Sequence, residues 1–189
     1  MEKRRVVITG MGTVNPLGNT VSESWSAVQA GQCGIGPITR YDTAEMKVKL
    51  AGEVKNLDID SLLGRRDAKK MDRFTQLALV AADECVSDSG LDREEEKLDR
   101  RGVIFSSGIG GFETVGEAHK RGSERGWDTV SPFMIPMIIS NMAAGHMAIR
   151  YGFQGMCSCV VTACAGGTNA VGDAFRHIRD GYAEVMLCG

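Results

Sequence analysis

Ser158-Cys159-Val160-Val161-Thr162-Ala163-Cys164-Ala165-Gly166-Gly167-Thr168-Asn169-Ala170 is the stretch whose reading decides the fold. Its first part is a short apolar, β-branched run that predicts a buried strand over 158–163. Its second part opens a helix predicted over 165–180. Ala170, Val171, Ala174, Phe175 and Ile178 form the apolar face of that helix, and Gly181 is its stop. A buried strand that turns directly into a helix is the repeating unit of α/β proteins. Cys164 stands at the turn, and Ala163, Ala165, Gly166 and Gly167 clear space around it. A helix N-terminus offers backbone N–H groups and partial positive charge. Such surroundings favour a thiolate nucleophile, and the same N–H groups can stabilise an oxyanion. A nucleophile on a strand-to-helix elbow is a known device for exposing a side chain. The other reading of the same residues is a small buried cysteine, and geometry alone leaves both open.

The pattern repeats outward from this stretch. Residues 4–9, 102–107 and 185–188 read as further buried strands, each a short apolar run bounded by glycine or charge. Helices are predicted over 20–30 from a capping-box spacing of Thr20 and Glu23, and over 66–89 from one apolar face, Met71 to Val86. Two more are predicted over 113–125 and 138–151. Residues 31–56 look irregular, with a short strand within 47–54, and the charge run 92–101 reads as a solvated connector. Buried strands separated by helices give an α/β fold with largely covered sheets. The last strand ends at Gly189 with no helix after it, so we expect this sequence to be the first part of a longer chain.

Composition narrows the function. The chain has 189 residues, 43% of them hydrophobic, and a formal net charge of −2. Such a balance argues against a general nucleic-acid binder. The apolar run behind the charged N-terminus, Val6-Val7-Ile8, is too short for a signal peptide, and no stretch approaches a membrane span. A soluble, cytoplasmic protein is expected, with its six cysteines reduced. Gly10-Met11-Gly12 after the first strand lacks the third glycine of a dinucleotide fingerprint, since position 15 is Asn. The loop Ser107-Gly108-Ile109-Gly110-Gly111 lacks the Lys-Ser/Thr ending of a phosphate loop. Cys157 and Cys159 have no second ligand pair, and His119, His146 and His177 stand singly, so no metal site is expected.

Taken in order, five motifs make the chain resemble a known family. They are Arg4-Arg5-Val6-Val7-Ile8-Thr9-Gly10-Met11-Gly12 with Asn15-Pro16-Leu17-Gly18, then Ser107-Gly108-Ile109-Gly110-Gly111, Ser131-Pro132-Phe133, Asn141-Met142-Ala143-Ala144-Gly145-His146 and Thr162-Ala163-Cys164. The chain resembles the β-ketoacyl-acyl-carrier-protein synthases, the elongating type I/II condensing enzymes, and most closely type II. The resemblance implies a thiolase-like fold, layered αβαβα, of which residues 1–189 would be the N-terminal half, with the C-terminal half outside this chain.

The resemblance further implies fatty-acid chain elongation by decarboxylative Claisen condensation. Cys164 would be the acylated nucleophile and one backbone oxyanion donor. Ile109 matches a side chain that gates the acyl pocket. Met134 matches a pocket wall, where Met would be soft and adaptable. Arg66, Lys69 and Lys70 match a basic stretch that docks the acidic acyl carrier protein. Asp128 and Thr129 stand where further basic residues are common, and Ala165-Gly166 replaces the usual hydroxyl residues after the nucleophile. No cofactor would be bound, because phosphopantetheine arrives on the carrier protein. The family's paired histidines and lysine would lie outside this chain, with His119, His146 and His177 matching none of them. A homodimer, with neither nucleic-acid nor membrane partners, is implied. A coenzyme A thiolase and a non-catalytic dimerising fragment remain as alternatives.

Overall fold

The computed structural model describes residues 4–91 and 97–189. Its elements follow in chain order. Helix α1 (Val21–Gln29) is capped by Thr20, whose side chain accepts from the Glu23 N–H. Strands β1 (Ile35–Pro37) and β2 (Leu50–Gly52) pair antiparallel as a small ribbon. The short helices α2 (Ile59–Leu63) and α3 (Arg65–Ala68) lead to α4 (Arg73–Asp88). Then come β3 (Arg101–Ser106), α5 (Phe112–Arg125), α6 (Met134–Ile138) and α7 (Met142–Tyr151). The chain finishes with β4 (Cys157–Val160), α8 (Gly166–Arg179) and β5 (Val185–Cys188).

Strand β3 is the centre of the fold. It pairs parallel with β4 on one side and with β5 on the other, Val103 facing both Cys157 and Leu187. Successive side chains of a strand point to opposite faces. Val103 is fully buried in the cluster with Leu79, Ala143, Ala144 and Met147, so α7, backed by α4, covers that face. Ile104 is buried on the other face, where α8 lies along the sheet with Ala170 and Ala174 inward. Parallel strands covered on both faces read as unbroken apolar runs, which is why 102–107 and 185–188 were legible. Asp83 locks α4 to α7, accepting from the Arg150 guanidinium at 2.7 Å and from the Tyr151 hydroxyl at 2.7 Å.

Four expectations are corrected. Residues 4–9 pair with no strand among the described residues, and Val7 and Ile8 are 61% and 80% exposed. β-Branched composition favours a strand only where a ladder partner is present. Here the segment is tied down by the Arg4 N–H to the Arg179 carbonyl and the Met11 N–H to the Asp88 carboxylate. A Cβ on Gly10 would strike the Cys85 carbonyl and one on Gly12 the Ala81 carbonyl, so this Gly-x-Gly lets the chain lie against α4. The helix expected over 66–89 is broken at Asp72, an extended residue whose carboxylate caps α4 through the Phe74 N–H. The helix expected from 138 begins at Met142, after Ile139 adopts an extended conformation. The strand expected over 158–163 covers 157–160, because Thr162 and Ala163 leave the extended region. Of the charge run 92–101, residues 92–96 lie outside those described, and Leu98–Arg100 forms a single 3₁₀ turn leading into β3.

Candidate active site at the strand ends

In an open parallel sheet the carboxyl ends of the strands are where ligands gather. At that end Ser106 is level with Val160 across the β3–β4 pair, and its N–H donates to the Gly189 carbonyl at 2.7 Å. Two segments leave from here. One is the loop 107–111 that carries Ile109, and the other is the turn 161–165 that carries Cys164.

The turn is sharp because Ala163 is left-handed, with φ 48°. A residue with a Cβ costs about 1–2 kcal/mol in that region, and such strain clusters at functional positions. Residues 163–165 form one 3₁₀ turn that passes directly into α8. Cys164 is exposed on this elbow in the 189-residue chain. Gly166 is buried, and a Cβ there would strike the Ser106 side chain. This contact seats the start of α8 against the end of β3. Ser106 is a supporting residue that sequence reasoning missed, since a serine inside an apolar strand carries no distinguishing signal. Burial pushes the Cys85 and Cys188 thiols up from the ordinary range.

Ile109 is 73% exposed at the tip of its loop. Met134 is half-buried in a groove of 430 Å³ whose charged lining is Lys69, Lys120, Arg121 and Arg125 with Glu117 and Glu124, basic in excess. The structure thus brings Met134 beside Lys69, a pairing the sequence reading did not make. Lys120, Arg121 and Arg125 are new members of this basic surface, and their clustering on one stretch of α5 was a readable signal. They stand one to two turns before Asp128 and Thr129. Arg66, Lys69 and Lys70 are all exposed around the end of α3. Lys70 is paired with Asp67 at 3.3 Å, an exposed contact of little energetic weight. A separate cavity of 910 Å³ lies between residues 8–15, α1, α4 and the ends of β3 and β5, and Cys164 is not among its lining residues. Among the described residues no group of three or more His, Cys, Asp or Glu is placed to hold a metal ion. No helix among them is long and apolar enough to cross a membrane.

The sequence profile described as "Beta-ketoacyl synthase, N-terminal domain" matches residues 3–189. A 3-oxoacyl-[acyl-carrier-protein] synthase 2 of Synechocystis sp. is 44% identical over 189 residues, covering 100% of this chain and 45% of that protein. The protein of the same name from Staphylococcus aureus is 47% identical over 188 residues, again 100% of this chain and 45% of its relative. The chain therefore spans about half the length of these relatives. Among solved structures, the ishigamide ketosynthase/chain length factor superposes with a TM-score of 0.87 at 28% identity, over 99% of this chain and 47% of that one. A type II PKS acyl-carrier protein in complex with its ketosynthase, bound to the hexaketide, gives 0.77 at 25% identity, over 99% and 50%.

Proposed function

This chain belongs to the β-ketoacyl synthase family as an N-terminal domain, with the layered α/β architecture of the thiolase-like condensing enzymes, and from that premise we propose that it carries the acyl-accepting half of a 3-oxoacyl-acyl-carrier-protein synthase. The observation that carries the reading is Cys164, exposed on a left-handed elbow at the carboxyl ends of a parallel sheet.

In this reading the Cys164 thiolate attacks the thioester carbonyl of an acyl carrier protein. A tetrahedral oxyanion forms and collapses, the carrier's phosphopantetheine thiolate leaves, and the acyl group rests on Cys164. Malonyl carrier protein then loses carbon dioxide, and the resulting enolate attacks the acyl-Cys164 carbonyl. Cys164 departs as thiolate, and the product is 3-oxoacyl carrier protein two carbons longer. Covalent catalysis divides one hard transfer into two easier ones. The Cys164 backbone N–H is assigned as one donor to the oxyanion. Groups that promote decarboxylation and supply a second donor are assigned to protein outside these 189 residues. Ile109 and Met134 are assigned to the acyl pocket. Arg66, Lys69 and Lys70 are assigned to carrier docking, supported by their exposure and by the excess of basic over acidic side chains in the groove that Lys69 lines. The carrier-protein complex named for one of the similar structures is in keeping with that partner. A soluble cytoplasmic homodimer completes the reading.

The test is intact mass of the full-length protein after incubation with fatty-acyl carrier protein. An acyl adduct that is absent in Cys164→Ser is expected; an adduct retained in that variant would sink the assignment. Acylation that proceeds from acyl-coenzyme A and ignores the carrier protein would move the protein to the thiolases. Reversing Lys69 and Lys70 to Glu should slow acylation by carrier protein at low salt by about tenfold or more, because steering of an acidic partner is ionic-strength dependent. Acylation by a small uncharged thioester should be unaffected by the same change.

A further inference from the structure

Three parts of the candidate site that are distant in sequence meet at one buried carboxylate. Asp72 is only 6% exposed and stands between the basic segment 66–70 and α4. One oxygen, Oδ1, accepts from the Phe74 N–H. The other, Oδ2, accepts from the Thr114 N–H at 2.9 Å and from the Thr114 hydroxyl at 2.6 Å. Thr114 lies in the first turn of α5, directly after the loop that carries Ile109. A Cβ on Gly111 would strike the Met137 carbonyl and would also crowd Asp72 Oδ2 at 3.0 Å, so this glycine lets the chain lie close to both α6 and the carboxylate. The far side of the same loop is held by α6. The Gly111 N–H donates to the Ile138 carbonyl at 2.9 Å, and at Gly110, with φ +77°, a side chain would strike that carbonyl. Ile138 ends the helix that Met134 begins. On the third side, Gln76 Nε2 donates to the Ala68 and Met71 carbonyls at 2.9 and 3.1 Å, fastening the basic segment to α4.

We propose that Asp72 is a positioning residue: acting through Thr114, its carboxylate sets how the Ile109 loop stands against α6 and ties that setting to the basic segment 66–70. The proposal rests on the condensing-enzyme reading of Cys164 and Ile109. Only a carboxylate suits the position. It accepts on both oxygens, and charge-assisted bonds of this length are the strong ones. An amide at this place would accept on one oxygen and turn an N–H toward a second N–H donor.

The experiment uses the full-length protein with Asp72→Asn, Thr114→Val and Thr114→Ser. Two quantities are read: amide hydrogen exchange over 107–116, and the ratio of kcat/KM for acylation of Cys164 by long and short acyl thioesters. Asp72→Asn and Thr114→Val should speed exchange at 110–114 by about tenfold or more, the weight of one bond to a buried charge. They should also shift the long-to-short ratio by about tenfold, mainly through KM for the long chain. Thr114→Ser, which keeps the hydroxyl, should restore both. Wild-type exchange in Asp72→Asn, or an unchanged chain-length ratio in a loosened loop, would overturn the proposal. Should Asp72→Asn fail to fold, the threonine pair decides, and identical behaviour of Val and Ser would overturn it. If wild-type Cys164 accepts no acyl group from any thioester, the condensing-enzyme reading falls, and the exchange pattern alone decides whether Asp72 holds the loop.

Discussion

Ala163 and Gly166 bracket the nucleophile and constrain it in opposite ways. Ala163 bends the chain at the expense of local strain, and Gly166 lets α8 close on Ser106. A side chain at 166 has no room, so Gly166→Ala should destabilise the domain by about 1–3 kcal/mol, the usual penalty of overpacking. It should also slow alkylation of Cys164. Denaturant midpoints and thiol labelling read these two effects, and Ser106→Ala should recover part of each by removing the hydroxyl that is struck. Full wild-type stability in Gly166→Ala would show that the helix start can shift freely. At this scale the sequence was partly legible. Small residues around Cys164 announced an open elbow, and Cys164 is indeed exposed. The left-handed bend fell on Ala163 rather than on either neighbouring glycine, and residue type carries no signal for that. Asp72 was equally silent, because an Asp four residues after Ala68 keeps the apolar spacing of Met71 and Phe74 intact while interrupting the helix that carries it.

Helix α7 shows how an element acquires a pH response from its packing. His146 is half-buried on α7, and burial lowers its pKa from the ordinary histidine value, with Asp67 opposing more weakly. The folded state therefore favours the neutral ring. Its contribution to stability is present above about pH 6.5, the unfolded value, and is lost as pH falls through the lowered folded value. Unfolding free energy measured against pH should drop on the acid side, and His146→Gln should flatten that part of the curve. An unchanged acid limb in the variant would assign the drop to carboxylates instead. Element types were legible wherever period and breakers agreed, as for α5, α8 and β5. Boundaries failed where one residue outweighed a pattern, as Asp72 and Ile139 did. Residues 4–9 failed for a different reason: a β-branched run specifies a strand only together with its partner, and pairing is not written in the run itself.

The whole molecule is built in layers, yet a large share of its apolar surface is open. Trp25, Ile109, Phe112, Phe133, Ile149 and Tyr182 are each more than half exposed. Exposed apolar area on this scale marks interaction surfaces. The 189-residue chain prepared by itself should therefore bind a hydrophobic fluorescent dye and elute above its 20.3 kDa mass. A dye-silent monomer would show that these side chains rearrange to cover one another. The layered architecture was legible from alternating strands and helices. The strand order β4-β3-β5 was not, since neighbours in a sheet need not be neighbours in the chain.

That order has a consequence for how the protein is made. The central strand is translated well before either of its neighbours. During synthesis it waits as an unpaired apolar segment, first for Cys157 and the residues after it, then for Val185–Cys188. Non-local parallel pairing of this kind is slow and leaves sticky intermediates. The platform beneath Cys164 is thus completed only once Val185–Cys188 has been made, long after β3 itself.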